Sequence, residues 1–237
     1  MAPSTPSPGG WVIIVVLAVF ALINQFILIL RFVIAAKFKL GYGSDDVWAI
    51  LAFLLLLVNI AVHCWGILQG GTGYPVEELT PGQLTTNLQS DYILTWLTTA
   101  MLFCVKVSII CLYRRVFVSR KFRKITEWFG IFAGVHLLAT AFASGLRCLP
   151  FESVWTLAVD GTTCDNYGLS YVILMSVNVA VDVCLLALPL IMMRDFTFSV
   201  RSKAELTVIF SFGAVMVMAA VLRVVYFYGT DSAQGNQ

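Results

Sequence analysis

Charge is scarce in this sequence. Asp, Glu, Lys and Arg make up 12% of its 237 residues, against about 25% in an ordinary soluble domain. That shortage excludes a sizeable solvated domain, and a net charge of only +2 argues against a nucleic-acid partner, whose phosphates demand a dense basic surface. The first ten residues, MAPSTPSPGG, contain no basic side chain at all. A cleaved signal peptide begins with positive charge and carries a core of about 7 to 15 apolar residues. The apolar stretch here is longer, so it is expected to stay as the first helix behind a short disordered outer tail, residues 1–10. The four cysteines that fall in apolar stretches, Cys64, Cys104, Cys111 and Cys184, are not spaced as metal ligands and behave there as small apolar residues. Neither a metal nor a cofactor is expected.

What the chain has in abundance is apolar length. Hydrophobic residues reach 59% and the mean hydropathy is +0.89. A spanning helix needs about 20 predominantly apolar residues. Six stretches meet that requirement: Trp11 to Ile34, Val47 to Leu68, Tyr92 to Phe117, Ile125 to Leu146, Gly168 to Met193 and Ala204 to Tyr228. The expected fold is therefore all-α, a polytopic transmembrane bundle of six helices forming one domain over residues 11–228, with an outer tail at 229–237.

The loops alternate in sign. Twelve of the fifteen Lys and Arg residues fall at the ends of helices 1, 3 and 5 or just beyond: Arg31, Lys37, Lys39, Arg114, Arg115, Arg120, Lys121, Arg123, Lys124, Arg194, Arg201 and Lys203. The other side carries Glu77, Glu78, Asp91, Glu152, Asp160, Asp165 and Asp231, with Arg147. Basic loops face the cytoplasm, so both termini are expected outside, in a multi-pass protein of the plasma membrane. Cys148 and Cys164 both lie in the loop between helices 4 and 5, on the outer side by this count, where disulfides persist. They are read as bridged, which would hold Trp155 over the bundle mouth.

Local signals fit the same frame. Ser44 reads as the N-cap of helix 2, with Asp45 and Asp46 in its first turn, where carboxylates favour the positive end of the helix dipole. A second use of the acidic pair is a latch onto the basic loops. Thr80 followed by Pro81 looks like an N-cap and first helical residue, so helix 3 is expected to begin well before the membrane. Pro189 should kink helix 5 near its basic end.

Ionisable groups at membrane depth are costly unless paired or wet, and so point to function. Three stand out: Lys106, Asp182 and Arg223. At a rise of about 1.5 Å per residue, Lys106 lies about 12 Å from Arg114 and Asp182 about 18 Å from Arg194, similar depths near the midplane. Arg223 is close enough to the outer surface to snorkel. Asn178 sits one turn from Asp182, and Asn59 and His63 are spaced i, i+4 on helix 2. Together these residues describe a polar seam ending in an outer ligand cavity, or else a Lys106–Asp182 ion pair with interhelical amide bonds that fix helix register. His136 is read as a packing histidine.

Several segments carry a resemblance. GSDDVW entering helix 2, His63-Cys64-Trp65-Gly66 at its far end, KVSIICLYRRVF closing helix 3, RCLPFESVW followed by Cys164, NVAVDVCLLALPL in helix 5 and AAVLRVVYF in helix 6 resemble the fungal rhodopsin-like integral membrane family. That group includes a plant-pathogen surface-sensing receptor and members of secondary-metabolite clusters. The resemblance implies a seven-helix, receptor-shaped protein, and no counterpart of the family's seventh helix is found in this sequence. No chromophore is implied: Lys106 on helix 3 is the one mid-membrane lysine, whereas rhodopsins carry theirs on helix 7. The first functional expectation is a sensor for a small molecule or surface cue, with its basic loops on anionic lipids or a cytoplasmic signalling partner. The second is an integral membrane enzyme such as an isoprenoid cyclase with Asp182 as proton donor, against which stands the absence of a second buried carboxylate. A transporter is the third and weakest, since the halves show no repeat.

Overall fold

The computed structural model describes residues 6–37, 41–116, 120–145, 148–149, 151–155, 163–164 and 167–193. It is built of helices: α1 Pro8–Lys37, α2 Ser44–Gln69, α3 Pro81–Val116, α4 Arg120–Gly145 and α5 Tyr167–Met193. The one sheet among these residues is a two-residue antiparallel ribbon, β1 Cys148–Leu149 with β2 Thr163–Cys164. The all-α expectation is thus met. By length and composition α1 to α4 are each able to cross a membrane, and the described part of α5 adds a shorter apolar helix, Val172–Leu188. Helix 6, expected at 204–228, and the tail at 229–237 lie outside the described residues.

The chain divides into two compact units, Met1–Asp165 and Asn166–Gln237. In the first, α3 packs against both α2 and α4, and α1 rests on α2. The buried core is thin and runs along α3, through Leu94, Cys104, Ile110 and Tyr113, with Ala52 and Ile67 from α2 and Phe122 and Ala133 from α4. Large apolar side chains such as Phe26, Leu54, Trp128 and Phe142 face outward, as they do in a bundle whose solvent is lipid rather than water.

The starts of α1 to α4 have identifiable causes. α1 begins at Pro8, three residues before the expected Trp11, because the Ser7 hydroxyl accepts the Gly10 N–H at 2.9 Å and Pro8 already holds a helical φ. Gly10 is needed there: a Cβ would lie 2.9 Å from the Ile67 side chain of α2. The cap of α2 is Gly43 rather than Ser44. The Asp46 carboxylate reaches back to accept the Gly43 N–H at 3.0 Å, so the residue preceding the serine takes the cap. α3 starts at Pro81 under a reciprocal box, Thr80 N–H to Gln83 Oε1 at 3.0 Å and Gln83 N–H to Thr80 Oγ1 at 3.4 Å. α4 starts at Arg120 rather than Ile125, so the basic run is already helical. Phe122 is fully buried, its ring edge-on to Tyr113 with centroids 6.3 Å apart, and that contact recruits the first turn. α5 continues through Pro189 to Met193.

Candidate functional site

At its basic end the first unit holds a buried charge cluster. Asp45 and Asp46, at the start of α2, are only 2% and 4% exposed. A buried carboxylate must be matched, and here the match comes from two other helices. Arg31 of α1 straddles the pair, Nη2 on Asp45 at 2.6 Å and Nε on Asp46 at 2.9 Å. Arg115 of α3 lies farther off, its Nη1 at 3.4 Å from Asp45 and 3.8 Å from Asp46, while its Nη2 donates to the Gly41 carbonyl at 2.7 Å. The Ser108 hydroxyl, buried in α3, donates to the Asp45 carbonyl at 2.8 Å. Gly43 fits beneath: a Cβ there would fall 2.2 Å from Asp45 Oδ1. Arg114, next along α3, turns the other way and meets Glu127 of α4 at 3.2 Å.

Farther along the helices lies a chain of polar side chains. Asn59, buried in α2 at 5% exposure, donates its amide to Thr98 Oγ1 of α3 at 2.9 Å. His63, one turn on, is half-buried. Lys106 is buried in α3. In the second unit, Asn178 is buried and donates to Asp182 Oδ2 at 3.2 Å, so the spacing of one turn does bring these two together. Arg223 falls outside the described residues. Among those described, no group of three or more His, Cys, Asp or Glu side chains is placed to hold a metal.

The opposite end is organised around the start of α3. Asn87 donates to the Gly70 carbonyl at 3.3 Å and to Thr72 Oγ1 at 3.2 Å, tying the α2–α3 connection to the helix. Tyr92 meets Trp96 of its own helix at 6.2 Å and Trp155 of the connection between α4 and α5 at 6.1 Å between centroids. The ribbon in that loop sets Cys148 directly opposite Cys164 in register. Cys64, Cys104, Cys111 and Cys184 carry free thiols.

The fungal rhodopsin domain model matches residues 30–237, a stretch that contains the whole charge cluster and every polar residue just described. The chain belongs to the fungal rhodopsin domain family. Within it, a SAT4 family membrane protein of Emericella nidulans is 28% identical over 65% of this chain and 41% of its own length. Wortmanamides biosynthesis cluster protein C of Talaromyces wortmannii is 26% identical over 92% of the chain and 61% of its own length. The receptor GIN3 of Arthrobotrys oligospora is 24% identical over 94% of the chain and 54% of its own length. The chain therefore spans less than two thirds of each of these curated relatives. No solved structure matches. For this member of the fungal rhodopsin domain family, sequence reasoning found the acidic pair and offered its latch onto the basic side, which Arg31 and Arg115 supply, but did not single out those two arginines or the Thr98 hydroxyl. Arg31 and Arg115 stand in the sequence among twelve basic residues on that side, and the depth they share with Asp45 is the signal that separates them from the rest.

Proposed function

We propose that this chain is the membrane-embedded part of a receptor-like sensor, with basic loops in the cytoplasm, its N-terminus outside and the plasma membrane as its site. Membership of the fungal rhodopsin domain family together with the receptor GIN3 is the observation that carries this reading. In it, a small molecule or surface cue is the signal, and the polar residues read from the sequence as its candidate contacts, Asn59, His63, Lys106, Asn178, Asp182 and Arg223, are the positions to test. A ligand signals by favouring one helix arrangement over another, and the part-buried Asn59–Thr98 bond is a contact such a rearrangement would have to keep or break. Cys148 and Cys164 are joined as a disulfide, since directly opposed residues of an antiparallel pair lie about 4.5 to 5.5 Å apart, inside the range a disulfide spans. The basic loops rest on anionic lipid headgroups at about 1 kcal/mol per basic residue and offer a surface to a cytoplasmic signalling partner.

A second reading draws on the relative named for a biosynthesis cluster: a membrane enzyme of secondary metabolism that uses Asp182 as proton donor to an isoprenoid, with Asn178 orienting the carboxyl. One experiment separates the two. The full chain, purified in detergent, is screened by thermal shift against isoprenoid alcohols, fatty acids and long-chain hydrocarbons, and the same mixtures are analysed by mass spectrometry. A saturable rise in Tm that is lost in N59A and N178A, with the added compound recovered unchanged, supports the sensor. A cyclised product that disappears in D182N supports the enzyme and overturns the sensor reading.

A further inference from the structure

The cluster at the basic end joins three helices unequally. We propose that it is a charge latch with Arg31 as its fixed half and Arg115 as its releasable half, so that the basic end of α3 parts from the start of α2 while both helices stay folded. The carboxylates decide the asymmetry. Without Arg115, Asp45 and Asp46 keep the short Arg31 contacts at 2.6 and 2.9 Å, Asp46 keeps the Gly43 N–H at 3.0 Å, and both remain in the first turn of α2, where the helix dipole favours negative charge. Without Arg31, two almost fully buried carboxylates are left to one guanidinium at 3.4 and 3.8 Å, a poor match for charge that has lost its water.

The arginines differ in the same sense. Arg115 also donates to a neutral carbonyl, that of Gly41 at 2.7 Å, which water replaces readily, and its side chain is 35% exposed against 28% for Arg31. The neighbouring strap on α3, Arg114 to Glu127, is an exposed pair at 36% and 51%, the kind that contributes little. Ser108 sits seven residues inside this end, buried against the Asp45 carbonyl. It is sealed from water when the latch is closed and reachable when it opens.

The test places a thiol there. S108C is made in the full chain with Cys64, Cys104, Cys111 and Cys184 replaced by serine or alanine, and the rate of modification by a water-soluble maleimide is measured in detergent alongside Tm. R115Q is expected to raise the rate about tenfold, a modest shift toward an open state, with Tm close to that of the parent; R115K, which keeps the charge but loses the forked donor, should fall between. R31Q is expected to lower Tm clearly. The latch is overturned if R115Q leaves the labelling rate unchanged, if R115Q and R31Q lower Tm alike, or if R115Q fails to fold, since the releasable half must be dispensable for folding. No ligand enters the measurement, so its failure is separate from failure of the sensor reading.

Discussion

Asp45 and Asp46 show what a single residue's neighbours contribute that its own position does not. Two acids after Ser44 announce a helix start, and Asp46 does serve the cap. Their guanidinium partners lie 14 and 70 residues away along the chain, and no local pattern names them. Gly43 is legible only afterwards, as the residue with no side chain where the Asp45 carboxylate needs the space. G43A should therefore cost about 2 kcal/mol as an overpacking change, read from Tm of the purified protein. Asn59 was legible from the start, because an amide in an apolar helix needs a partner, but Thr98 was one of several hydroxyls on α3 within reach. N59A should cost about 1 kcal/mol, the scale of hydrogen bonds between membrane helices, and T98A should cost little more when added to it, because the two changes remove one bond.

Elements were read well where apolar length defines them and poorly where a buried aromatic extends them. The run Arg120 to Lys124 looks like a loop because four cations at a helix N-terminus oppose the dipole. One buried ring outweighs that cost: Phe122 against Tyr113 contributes several kcal/mol, where each unfavourable charge costs about 0.3 to 1. F122A is expected to lower stability by about 3 kcal/mol and to speed hydrogen exchange at residues 120–126 while leaving the middle of α4 protected. If those amides stay protected, the first turn of α4 does not depend on the ring. The start of α3 was found in advance because Thr80-Pro81 is a chemical signature as well as a composition; T80A should cost about 1 kcal/mol and fray only the first turn.

For the whole molecule, hydropathy identifies the solvent and charge asymmetry offers an orientation, whereas the arrangement of helices and the ligand are set by contacts that no periodicity encodes. The family match accounts for residues 30–237 and leaves most of α1 beyond it. Orientation and the proposed disulfide are tested together on intact cells. If Cys148 and Cys164 are bridged on the outer side, an impermeant maleimide should react there only after reduction, adding two labels. Reduction should also lower stability by about 3 kcal/mol, the value for a loop of this length in the chain-entropy model. Labelling without reduction would argue against the bridge.

α3 runs for 36 residues, about 54 Å at 1.5 Å per residue, while the hydrocarbon layer is about 30 Å thick. One continuous helix therefore touches Trp155 through Tyr92, about a third of the way along, and the Asp45–Asp46 pair through Arg115 near its far end. The two contacts are about 35 Å apart along it. The helix between the two contacts is unbroken, so any tilt of α3 that disturbed the aromatic contact would be felt at the arginine as well, with no joint between them to absorb it.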